Sequence, residues 1–143
     1  MDAITEVPLP ANEPIHEYAP GSGDRTRLNE ALRSLSAEPI DLPHVIGGSH
    51  RMGGGERLDV VQPHRHAARL GTFTNAEHAD ASAAIEAAIA AKADWEATPF
   101  DERAAVFLRA ADLMAGPWRE WIAAATMLGQ SKTAYQAEVD SAC

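Results

Sequence analysis

Residues 98–120 read TPFDERAAVFLRAADLMAGPWRE, and the fold class turns on them. Thr98 is placed to cap a helix, with Pro99 at its first position and Asp101 and Glu102 in the first turn. Exposed N–H groups make that end of a helix positive, so two acids there suffice as dipole partners. They are adjacent, point different ways around the helix and do not form an acid–base pair. Val106, Ala110 and Leu113, joined by Phe107 and Met114, supply an apolar face. Gly116-Pro117 stops the helix, since proline lacks the N–H that would continue it.

On the carboxyl side, residues 118–128 restart the helical period, with Trp118, Ile122 and Ala125 on one face and Gly129 as a left-handed end. A further helix opens at Thr133, where Tyr135 and Val139 stand four apart. Its pattern still runs at Cys143 without a stop signal. The chain therefore reads as the opening piece of something longer, a frayed natural terminus being the other reading. On the amino side, residues 77–95 form an alanine-dense helix with Asn75 as cap, Ala81, Ile85, Ala88 and Ile89 on one face, and Trp95 at its end. Alanine favours helix and lets neighbours approach closely.

Residues 1–21 carry Pro8, Pro10, Pro14 and Pro20, a density that blocks helix and ladder alike and predicts an extended arm. Residues 22–143 form the second region. It begins with a helix over 24–35, capped by Ser22 or Asp24, with Leu28, Leu32 and Leu35 aligned. Strands are expected near 44–47, 57–61 and 68–73, arranged as a small antiparallel meander with Gly53-Gly54-Gly55 as a hairpin turn. The fold class is α/β, dominated by helix.

The 143 residues carry a net charge of −9, the wrong sign for phosphate backbones or anionic lipid. No run approaches the roughly 18 apolar residues of a membrane span. The first 14 residues have no apolar core of a signal peptide, and the lone cysteine suits a reducing compartment, so a cytoplasmic setting is expected.

No residue is assigned to catalysis, cofactor or metal. Gly129-Gln130-Ser131-Lys132-Thr133 lacks the glycine spacing of a phosphate loop and follows a helix where that loop needs a strand. His64 and His66 have the spacing of two metal ligands on a strand, but Pro63 and Arg65 favour a solvated turn and no cysteine or carboxylate clusters with them. Cys143 has no base beside it. Arg103 and Arg109 read as ion-paired or exposed, and Trp95, Trp118 and Trp121 as packing residues.

The order of elements, together with Asn12-Glu13-Pro14, QPHRHAARLGTF at 62–73, RAADLMAGP at 109–117 and GQSKTAYQAEVD at 129–140, resembles the amino-terminal part of the aldehyde dehydrogenase superfamily. Gly129-Gln130-Ser131-Lys132 followed by Gln136-Ala137-Glu138 is similar to its 1-pyrroline-5-carboxylate dehydrogenase branch. The resemblance spans residues 12–143 and implies that 22–143 are an incomplete cofactor-binding domain. It also implies a homo-oligomeric whole enzyme that oxidises glutamate γ-semialdehyde to glutamate in proline breakdown, with NAD as hydride acceptor. A cysteine attacks the aldehyde, and a glutamate activates the water that releases the acid. The segments bearing the nucleophile, the oxyanion-binding asparagine, the ribose contacts and the base are absent from these residues. The isolated chain is thus expected to be inactive and to bind no NAD. A non-catalytic interaction module derived from the same segment is the alternative.

Overall fold

The computed structural model describes residues 7–141. Helix α1 spans Gly23–Ala37, and the Oγ of Ser22 accepts the Arg25 N–H at 3.2 Å, so Ser22 rather than Asp24 is the cap. Five short strands follow: β1 Ile40–Asp41, β2 His44–Ile46, β3 Ser49–Arg51, β4 Arg57–Gln62 and β5 Arg65–Thr74. The remainder is helical: α2 His78–Ala97, α3 Phe100–Ala115, α4 Arg119–Gln130 and α5 Ala134–Ser141. Each expected helix is present within a few residues. The first six residues of the arm, and Cys143, lie outside the described residues.

The strands do not form one meander. β4 and β5 pair antiparallel, β1 adds to β5 in parallel, and β2 pairs only with β3 as a separate hairpin. Gly47 and Gly48, both at positive φ, turn that hairpin, so the first run finds its partner five residues on. Gly53-Gly54-Gly55 is correspondingly not a hairpin turn. It lies against the start of α2, where a Cβ on Gly53 would overlap the Asn75 carbonyl. The Gly55 N–H donates to that same oxygen at 2.9 Å.

Three helix ends also differ from expectation. Glu77, not Asn75, precedes α2, and the Asp80 carboxylate accepts the Glu77 N–H at 2.9 Å. Thr98 ends α2, its hydroxyl donating to the Asp94 carbonyl at 2.8 Å, and Pro99 stands at the cap of α3. α4 runs through Gly129, and Ser131 takes the left-handed conformation at its end, with φ 57°.

The core lies where the arm, α1, α4 and α5 meet. Tyr18, Leu28, Ala31, Ala123, Ala124 and Ala137 are buried there, with Leu32, Leu35, Met127 and Ala134 packed around them. Four of the six are alanines, which let the backbones approach closely but bury little apolar area each. α4 turns the face opposite to the expected one inward: Arg119, Glu120, Ala123 and Ala124 are buried, while Trp118 is 56 % exposed. Helices α2 and α3 bury no residue at all.

Candidate functional site

The most completely buried chemistry in the chain is a carboxylate. Glu138 sits at mid-α5 with no solvent exposure. α5 is started by reciprocal bonds between Thr133 and Gln136, whose amide oxygen accepts the Thr133 N–H at 3.0 Å while the Thr133 hydroxyl accepts the Gln136 N–H at 3.3 Å. This start points Ala137 and Glu138 into the core. There the guanidinium of Arg119 donates to Oε1 through both Nε, at 3.0 Å, and a terminal nitrogen. The His16 backbone N–H donates to the same oxygen at 2.8 Å, and the Tyr18 hydroxyl donates to Oε2 at 2.7 Å. Arg119 also donates to the Pro14 carbonyl at 2.6 Å.

Burial by itself would push the Glu138 carboxyl up. The bonds from Arg119, the His16 N–H and Tyr18 outweigh it and hold the group below the usual carboxylate range. Burial, and then the bond to Glu138, pushes the Tyr18 phenol well above its ordinary value. Arg119 is likewise raised, first by its bond to Glu138. The result is an ionised acid satisfied on both oxygens, with its proton-transfer capacity suppressed. It is a clasp between the arm and two helices, and it holds no group poised for acid–base work. The signal for it was present as charged residues at helix-interior positions, Arg119 and Glu138, but their neighbours Trp118 and Val139 marked a more apolar face.

A second polar group stands next to it. His16, Asp24 and Glu120 bring an imidazole and two carboxylates within 4.8 Å of one another. Arg27 already binds both acids, at 2.8 Å to Glu120 and 2.5 Å to Asp24, so these are partners of a guanidinium.

The residues weighed in the sequence scatter. His64 lies in the β4–β5 turn, its Nδ1 2.8 Å from the Ser131 hydroxyl, while His66 is on β5 and both are exposed. Lys132 pairs with Asp140 instead of reaching toward a phosphate. Arg103 stacks 6.0 Å from the Trp95 ring, and its Nε is buried without a hydrogen-bond partner.

These features also test whether the described residues can cradle a dinucleotide. A glycine loop against a helix N-terminus is the expected cradle, and Gly53-Gly54-Gly55 beside α2 has that form. Two of its N–H groups are taken: Gly55 donates to the Asn75 carbonyl, and the Asp80 carboxylate accepts from Gly54 at 3.0 Å as well as from Glu77, and pairs with Arg51. Those two backbone bonds hold Asp80 below the usual carboxylate range. An internal anion thus occupies the start of α2.

The sequence profile of the aldehyde dehydrogenase family matches residues 50–143. The chain belongs to that family. It is 44 % identical over 141 residues to the mitochondrial Delta-1-pyrroline-5-carboxylate dehydrogenase of Emericella nidulans, covering 98 % of this chain and 24 % of that protein. The crystal structure of the Delta-pyrroline-5-carboxylate dehydrogenase from Mycobacterium tuberculosis bound with NAD and cobalamin superposes with a TM-score of 0.96 and 77 % identity, over 100 % of this chain and 27 % of the other. The 1-pyrroline-5-carboxylate dehydrogenase from Thermus with bound NAD gives a TM-score of 0.85 at 29 % identity, over 96 % and 26 % of the two chains. The chain thus spans about a quarter of the length of the relatives it matches. Among the described residues, no helix is long and apolar enough to cross a membrane.

Proposed function

We propose that these residues form the amino-terminal quarter of an NAD-dependent 1-pyrroline-5-carboxylate dehydrogenase, which oxidises glutamate γ-semialdehyde to glutamate in proline catabolism. Residues 22–143 then contribute to its cofactor-binding domain, and residues 1–21 are an arm laid across it. The observation that carries this reading is the 77 % identity and TM-score of 0.96 along the whole chain to the Mycobacterium tuberculosis enzyme. When bound, NAD supplies the hydride acceptor. The clasp around Glu138, with both of its carboxylate oxygens satisfied, serves architecture: it holds α4 and α5 at a set spacing. The reading extends to a cytoplasmic setting, which the single cysteine suits, and to a homo-oligomeric whole enzyme.

The exposed faces of α2 and α3 fit this role. Ile89 and Phe107 are 67 % and 68 % exposed, a placement expected of side chains that later elements of a larger fold would cover. A chimaera tests the reading: residues 1–143 replace the matching quarter of the Mycobacterium tuberculosis enzyme, and NAD reduction is measured with glutamate γ-semialdehyde. The chimaera should turn over at a rate within about tenfold of the parent, while the 143-residue chain alone should not. A folded, NAD-binding chimaera without turnover would refute the reading.

A further inference from the structure

α5 is held in place in an unusual way. Among its described side chains, Ala137, which brings one methyl group, and Glu138, which brings a charge, are buried, with Ala134 packed beside them. Its docking therefore depends on how well that charge is satisfied. A carboxylate offers about four lone-pair sites, and four donors reach Glu138: two from Arg119 on α4 and two from the arm.

The arm in turn has little regular structure to hold it. Between residues 7 and 19 it contains no helix or strand, and Leu9 lies in solvent. It is fastened where His16 and Tyr18 meet Glu138 and where Pro14 meets Arg119. Tyr18 itself is a non-glycine residue at φ 50°. Such a conformation persists only when its surroundings over-determine it. Here a buried ring, the bond to Glu138 and the Arg25 guanidinium on the Tyr18 carbonyl supply that constraint.

We propose that residues 14–18 and helix α5 are one cooperative unit, a strap and its seat, in which neither docks without the other. With the arm away, a buried carboxylate loses half its donors, which costs far more than an exposed one. With α5 away, the arm loses both of its acceptor oxygens and the reason for the strain at Tyr18. Coupling of this kind is reciprocal, so anything that captures the arm releases α5 in the same step. The inference rests on this geometry and not on the proposed enzymatic role.

Amide hydrogen exchange on the 143-residue chain, wild type against Tyr18→Phe, tests it. The variant keeps the ring and removes one donor. The expected result is exchange about tenfold or more faster across α5 and at His16, with β4 and β5 unchanged. Glu138→Gln should speed the His16 amide in return. Faster exchange in the arm with α5 unaffected would overturn the proposal, as would no change or a uniform rise at every amide. Should Glu138→Gln fail to fold, the Tyr18→Phe comparison decides alone.

Discussion

The Tyr18 hydroxyl donates to the Glu138 carboxylate at 2.7 Å, joining residues 120 positions apart in the chain. This bond and its neighbours at Arg119 connect the arm to the helical core, and most of the expectations below rest on it.

Removing the acid should be severe. Glu138→Ala strips the Arg119 guanidinium, itself buried, of its partner. Breaking a buried pair from one side costs about 3–5 kcal/mol. Glu138→Gln keeps the shape and one acceptor oxygen but replaces the other with an NH2 donor, and about 1–3 kcal/mol is expected. Urea denaturation midpoints check both, and equal midpoints for the two variants would contradict the account.

Stability should fall with acid in a way that Glu138 controls. Its folded carboxyl lies below the usual range. Its contribution is therefore complete above the unfolded value of about 4.3 and lost as pH falls through the lower folded value. Asp80 acts in the same sense. Melting temperatures from pH 7 to pH 2.5 should drop more steeply for wild type than for Glu138→Gln. Parallel curves would count against the carboxylate.

At the alkaline end the phenol takes over. The raised value of Tyr18 means that its contribution is present below the unfolded value of about 10 and is lost as pH rises beyond it. Tyr18→Phe should flatten the loss between pH 9.5 and about 11. An unchanged alkaline slope in that variant would remove Tyr18 from the account.

Two glycine substitutions should act in opposite directions. A Cβ on Gly71 would collide with the Ile40 carbonyl where β1 meets β5, so Gly71→Ala should cost about 1–3 kcal/mol. Gly129 lies within α4 with open space around it, and Gly129→Ala should add about 0.5–1 kcal/mol. Thermal denaturation distinguishes the two.

The exposed apolar faces give the last expectation. Trp95, Phe100, Phe107 and Leu108 line an open hollow of about 500 Å³ together with Val7, Arg103 and Ala104. The isolated chain should bind a dye specific for apolar surface and should aggregate readily. Phe107→Glu should weaken dye binding several-fold while changing stability by no more than about 0.5 kcal/mol. Dye binding unaffected by that substitution would place the sticky surface elsewhere.

Local signals carried the sequence reading far. Pro8, Pro10, Pro14 and Pro20 specified an arm, Ser22 a helix start, and Gly116-Pro117 a helix break, because each acts through the backbone of its own neighbourhood. Family membership was legible for a similar reason, as runs such as 109–117 and 129–140 are read without knowing their surroundings. The tertiary structure alone decided which strand pairs with which, since pairing depends on partners distant along the chain. It also decided which face of α4 and α5 turns inward. Period-counting favours Trp118, Ile122, Tyr135 and Val139, yet the core takes Arg119, Ala123, Ala137 and Glu138. Alanines allow the helices to come close, and a charge can be buried only where another chain segment brings the opposite charge and the remaining donors. Arg119 on α4 brings the opposite charge, and residues 14–18 bring the remaining donors from over a hundred positions away, an arrangement that no local pattern records.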